Sequence, residues 1–184
     1  PLRSWYLSPF RAYVAPMRVD SFRFLPRSFV PLYENVAPLE GEQDVVWAPF
    51  APRLADATIA LVSSAGLSVA GEQEPFDLDG ERREPSWGDP THRVIPSDLG
   101  DRPLAMSHLH VNNTDTLADR NVSLPLDVLN DMAAEGMVGA ATRSHFSVMG
   151  YQQAGLETWR TQTAPAIVER LREEGADGVI LAPV

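Results

Sequence analysis

The sequence predicts an α/β protein built on a parallel sheet of Rossmann or flavodoxin type, and three observations carry that expectation. Short apolar runs recur as strand candidates, amphipathic stretches of helical period separate them, and the order along the chain is strand, long excursion, helix, strand, helix, strand. Parallel neighbours need crossovers of this kind, because a tight turn reverses chain direction and joins only antiparallel strands.

The first core strand is Thr58-Ile59-Ala60-Leu61-Val62-Ser63, a partly β-branched apolar run closed by Ser64-Ala65-Gly66, which reads as a tight turn. From Val69 to Gly100 the chain is polar and carries Asp79-Gly80, Gly88-Asp89-Pro90 and Pro96, so a long excursion replaces any regular element. Leu104 to Val111 is a candidate short strand. The stretch Pro125 to Gly136 is a clearer helix: proline stands in its first turn, Leu126, Leu129, Met132 and Ala133 recur at helical spacing, and Gly136 supplies the stop. Met137 to Thr142 reads as a second strand of small residues, entering a loop at Arg143-Ser144-His145-Phe146. A last helix from about Thr163 to Glu174 places Ala164, Ile167, Val168 and Leu171 on one face and stops at Gly175.

The terminal strand, Gly178 to Val184, is of buried type. Strands of α/β sheets deliver functional groups at their carboxyl ends, so Val184 is expected at the site, beside a group outside these residues. Three parallel strands make about half of an ordinary doubly wound sheet of five or six, and a half sheet leaves an open edge. Completion by a second chain, by a C-terminal segment or by dimerisation is therefore expected.

Residues 1–52 are expected to form an irregular arm and residues 53–184 the α/β domain. The arm interleaves prolines at 1, 9, 16, 26, 31, 38, 49 and 52 with aromatics from Trp5 to Phe50. So many prolines break helices and central strands, while so many aromatics are foreign to a disordered linker.

At 184 residues the chain holds one domain with a sizeable core. A net charge of -10 leaves no excess of Lys and Arg to neutralise phosphates, which argues against nucleic acid or anionic membrane as partners. No apolar run has the length of a membrane span and no secretory leader is legible, so the expected location is the cytoplasm. With no cysteine, the chain offers no disulfide, thiolate ligand or cysteine nucleophile.

Several residues have types and positions suited to chemistry. Ser63, Ser64 and Gly66 follow the first strand, where hydroxyls and backbone N–H groups can meet a substrate carboxylate; an ordinary structural turn is the alternative. His108 and His110, two apart in an extended stretch, point to one face and can share a divalent transition metal, with Asp115 or Asp119 as the carboxylate. Equally, one imidazole can bond backbone and the other face solvent. His145, after the second strand, suits an acid, base or substrate ligand, or a carbonyl cap. Arg93 can clamp a carboxylate or serve an internal ion pair. Asp119, Arg120 and Asn121 can instead anchor the following helix, with Ser123 as its cap.

Taken in order, the stretches Trp47 to Pro49, Ala60 to Leu67, Glu74 to Asp77, Gly88 to Pro96, Ser107 to His110, Asp119 to Val122, Pro125 to Asp127, Gly136 to Gly139 and His145 to Tyr151 resemble one family. The chain is similar to the N-terminal part of the selenoprotein B family of glycine, sarcosine, betaine and D-proline reductases, especially short bacterial relatives without selenocysteine. The resemblance runs from about Trp47 to Val184. It implies reductive C–N cleavage of a small amino acid or related carboxylate, with a selenol or thiol as nucleophile and reductant in a motif after the terminal strand. D-proline reductase adds a pyruvoyl group on a partner subunit. What transfers to these residues is the scaffold, with Ser64, Gly66, Arg93, His108, His110 and His145 as pocket candidates. His108-Leu109-His110-Val111-Asn112 departs from the His-x-His-Tyr-Asp pattern of relatives, and Asn112 supplies no carboxylate. Besides the reductase-like subunit, a metal-dependent enzyme on the His-x-His pair and a noncatalytic scaffold remain as readings.

Overall fold

A computed structural model describes residues 48–84, 87–108, 113–150 and 155–184, with Pro31. Residues Pro49–Val184 form one unit. The Pro- and aromatic-rich stretch up to Trp47 lies outside the described residues, as do Leu109 to Asn112.

The central strand is β1 (Thr58–Ser63). A tight turn leads into β2 (Leu67–Val69), helix α1 (Leu78–Arg83) and β3 (His92–Pro96). Strand β4 (Leu104–Met106) pairs antiparallel with β2 as a separate two-stranded sheet. Helices α2 (Thr114–Ala118) and α3 (Leu126–Ala134) precede β5 (Ala140–Ala141) and β6 (Ser144–Val148). The chain then runs through α4 (Leu156–Thr158), a π-helical turn Trp159–Thr163 and α5 (Ala164–Glu173) into β7 (Gly178–Ala182).

The main sheet is mixed. Strands β5, β6 and β7 run parallel to β1, while β3 lies antiparallel on the outer side of β6. An all-parallel sheet was the expectation, and β3 corrects it. The excursion after β2 is long enough to return at the far end of the sheet, and Val94-Ile95 closed by Pro96 suits an edge strand. The strand expected at Met137 to Thr142 is shorter than predicted, and its neighbour Ser144–Val148 is strand instead of loop.

Strands β5 and β6 lie on one side of β1 and β7 on the other, so right-handed crossovers put the connecting helices on opposite faces. Leu126 and Leu129 of α3 accordingly pack with Ile59 and Leu61 of β1 and with Leu67 and Ile95. On the other face Ile167 and Leu171 of α5 pack with Ala60, Phe146 and Val148. The alternation of β1 between two cores, with Leu61 and Phe146 both fully buried, makes it the axis of the unit. Each such side chain contributes roughly 1.5–3 kcal/mol.

Pro165 explains the π-helical turn. Its ring lacks an N–H and crowds the carbonyl four residues back, and the turn ahead widens so that the Ala164 N–H reaches Trp159 O. The Thr163 hydroxyl donates to the Pro90 carbonyl, tying this turn to the loop before β3.

The terminal strand departs most from its sequence character. Val179, Ile180 and Leu181 are 42%, 49% and 71% exposed. In register with Ala60 and Val62, Val179 and Leu181 point to the α5 face, whereas Ile180, beside Leu61, points to the α3 face. An apolar edge strand is thus uncovered on both faces among the described residues.

Candidate active site at the carboxyl ends of the strands

The turn after β1 is held from three sides. Ser63 Oγ accepts the Ala65 N–H at 3.2 Å, Ser147 Oγ accepts the Leu67 N–H at 2.7 Å, and the Gly66 N–H donates to Val148 O at 2.9 Å. The Gly66 carbonyl accepts the Ser107 N–H at 2.8 Å. Gly66 has φ +62°, and a Cβ there would lie 2.5 Å from Ser107 O and 2.7 Å from Met149 Sδ. Glycine is required for both reasons. Ser63 and Gly66 are therefore buried parts of the turn itself.

Ser64 is placed differently. It is half-buried, its N–H donates to Ala182 O at 3.1 Å, and its Oγ accepts the Val184 N–H at 2.8 Å. A Cβ on Gly150 would stand 3.3 Å from that same Oγ. The Ser64 hydroxyl thus marks the point where the carboxyl ends of β1, β6 and β7 converge, the position where open α/β sheets bind ligands.

One histidine borders this end, and a second follows in sequence a residue bonded to the turn. Because β3 is antiparallel, its first residue, His92, pairs with Val148 at the end of β6, and its ring meets Phe146 edge-on at 5.7 Å. Burial and then the adjacent Arg93 guanidinium hold His92 below the usual imidazole range, so it is neutral at pH 7. His108 follows Ser107, which is bonded to Gly66. In sequence His92 lies in a polar excursion and carries no assigned role; the β-branched pair Val94-Ile95 is the signal for the strand that carries it to the sheet end.

Arg93 faces the protein. Its Nε–H donates to Glu74 O at 2.6 Å, Nη1 to Thr91 Oγ1 at 2.8 Å and His92 O at 3.1 Å, and Nη2 to Pro75 O at 3.0 Å. Asp89 lies 3.8 Å from Nη2, and the guanidinium stacks 4.2 Å from the centre of the buried Phe76 ring. Asp89 in turn accepts the Thr91 and Asp77 N–H groups. The Gly88-to-Pro96 stretch is thereby stapled to Glu74-to-Asp77.

Asp119, Arg120 and Asn121 form the anchor before α3. Arg120 bonds Asp127 through both Nε, at 2.8 Å, and Nη2, and reaches Gly100 O through Nη1. Its hydrogen bonds hold the Asp127 carboxyl below the usual range. The cap is Asn121, whose Oδ1 accepts the Asp127 N–H at 3.0 Å and the Val128 N–H at 3.4 Å. Ser123, the expected cap, is buried with its hydroxyl unpartnered among the described residues. Asp119 is exposed and accepts both N–H groups of Asn121 at 2.9 Å. His110, the second member of the His-x-His pair, lies outside the described residues. Among those described, no three His, Asp or Glu side chains gather to hold a metal.

His145 is not at the carboxyl end of a strand. It is the second residue of β6, near the amino end of the strand, fully buried, and its Nδ1 accepts the Leu61 N–H at 3.0 Å. Burial lowers its pKa to about 4, against the opposing pull of Glu174.

Comparison with known proteins bears on this arrangement. Residues 32–184 match the model of the glycine/sarcosine/betaine reductase selenoprotein B family. The chain belongs to that family. Within it, the chain is 32% identical over 136 residues to the D-proline reductase subunit gamma of Acetoanaerobium sticklandii, covering 74% of this chain and 52% of the relative. The chain therefore spans about half the length of the curated relative it matches. No solved structure matches it. The selenoprotein B match takes in the Ser64 turn, the Arg93 staple, the Asn121 anchor and all of the main sheet.

Proposed function

We propose that this chain is the scaffold-bearing part of a reductase that cleaves the C–N bond of a small amino acid or N-methylated amino acid. The family match carries the reading, and the meeting of Ser64, Gly150 and Val184 at the carboxyl ends of the strands supports its place. Reductive cleavage breaks one C–N bond and adds two electrons and two protons, leaving a C–H bond and a free amine. A cysteine-free chain supplies neither the electrons nor the nucleophile. Both come from a thiol or selenol outside these residues, on a segment or partner that continues the sheet beyond β7 and completes a Rossmann-like sheet. The uncovered faces of Val179, Ile180 and Leu181 support that position. At the strand ends the Ser64 hydroxyl orients the substrate carboxylate, and His92 and His108 accept or deliver protons. Arg93 and Asn121 hold the surrounding loops.

The test is formation of the C–N cleavage product by the native assembly containing this chain, with a dithiol as reductant: an amine freed from glycine, sarcosine or betaine, and a ring-opened amino acid from D-proline. Turnover of one of them, lost on Leu181→Asp together with the partner, is expected. An intact assembly that reduces none of the four overturns the reading.

A further inference from the structure

We propose that His145 is a clasp inside the central sheet, a positioning residue that keeps β1 and β6 in register, and not the acid or base of the site. This goes beyond the reductase reading and does not depend on it. The observation is a break in the strand ladder. Ile59 pairs with Ala141 and Val62 with Phe146, so Ala60 and Leu61 on β1 face four residues, Thr142 to His145, on the other strand. Two extra residues bulge out and leave β1 donors without carbonyl partners in a fully buried strand. Thr142 closes one side of the bulge, its N–H donating to Ile59 O at 2.9 Å and its hydroxyl to Ser144 O at 2.8 Å. The Leu61 N–H is the donor left over, and the His145 ring takes it at Nδ1.

An N–H donating to Nδ1 requires that nitrogen to be unprotonated, which fixes the proton on Nε2. Nε2 is buried and has no partner among the described residues, and the whole side chain is 0% exposed. The ring thus faces no substrate-accessible surface, and its lone pair is already committed. The charged group acting on it is Glu174, just past α5, whose carboxylate accepts the Ser144 N–H and hydroxyl and pairs with Arg170 at 2.9 Å. Protonation of Nδ1 would set two donors against each other and open the ladder between the halves of β1. The carboxyl ends that carry Ser64 and Gly150 would then lose their common register.

Long-range proton–nitrogen NMR of the intact chain tests the clasp. The expected result is a single Nε2–H tautomer of His145 from pH 8 to pH 5, with the Leu61 amide strongly protected from hydrogen exchange. In His145→Phe, exchange at Leu61 rises on the order of ten-fold, and in His145→Gln, whose carbonyl can accept the bond, protection is partly restored. An Nδ1–H tautomer, a titration near 6.5, or unchanged Leu61 exchange in the Phe variant overturns the proposal. If the variants do not fold, the tautomer and titration of the unsubstituted protein decide it.

Discussion

Ser64 and Val184, 120 residues apart in sequence, are joined by a 2.8 Å hydrogen bond from the Val184 N–H to the Ser64 hydroxyl. The bond continues the β1–β7 ladder one step past its last backbone pair, with a side chain standing in for a carbonyl. Ser64→Ala is expected to destabilise the unit by about 1 kcal/mol, the worth of one half-exposed hydrogen bond. Hydrogen exchange should place the loss at the end of β7. On the proposed reductase reading, the same substitution in the native assembly should raise KM more than it lowers kcat.

Gly66 and Gly100 share a positive φ, +62° and +57°, but differ in surroundings: a Cβ at Gly100 meets nothing within 4 Å, whereas one at Gly66 collides with Ser107 O. Gly100→Ala should therefore cost about 1 to 2 kcal/mol, from backbone conformation alone. Gly66→Ala should cost about 3 kcal/mol or more, because the β2–β4 connection must also move. Urea denaturation of the two variants side by side measures the difference.

Arg93 gives a test that separates structure from substrate binding. A residue that staples two loops over Phe76 should lower stability when removed, by about 2 to 4 kcal/mol in Arg93→Ala, from charged hydrogen bonds and the ring stack. Arg93→Lys should recover little, since an ammonium cannot reach the Glu74, Pro75 and Thr91 oxygens in one planar fork. A substrate clamp would instead raise KM and leave the unfolding midpoint unchanged.

The pH dependence follows from His145. Its folded pKa of about 4 lies below the ordinary 6.5, so between these values the unfolded chain binds a proton that the folded chain does not. The associated stability is fully present above pH 6.5 and is lost as pH falls towards 4, by on the order of 3 kcal/mol. His92, also lowered, acts in the same sense. Urea midpoints should fall steadily from pH 7 to pH 4.5, and the slope should flatten in His145→Phe.

Much of the scaffold was legible from local pattern. Thr58–Ser63, the helix after Pro125, the helix before Gly175 and the strand after it stand where apolar period and glycine stops put them, because those signals are short-range. The family was legible too, from the ordered set of stretches between Trp47 and Tyr151. Misread were features set by long-range pairing. His145 sits in a polar, Ser-containing stretch that reads as loop, and only the neighbouring β1, with an unpaired N–H at Leu61, makes it strand. Arg93 reads as either a substrate clamp or an internal ion pair, and only the folding of Glu74 and Pro75 over it decides for the internal role. The Asn121 cap acts across six residues, a spacing no local capping rule anticipates.

The sequence by itself determined the α/β class, the order of the main crossover elements, the absence of any thiol within these residues and membership of the reductase family. Periodicity, composition and motif order are properties of the chain read in one dimension. Tertiary structure decided the direction of β3, the exposure of β7, the burial of His145 and the meeting of Ser64 with Val184. Each of these depends on which backbone groups find partners more than a hundred, or several tens, of residues away, and hydrogen-bond satisfaction in a buried sheet is settled only when all strands are in place.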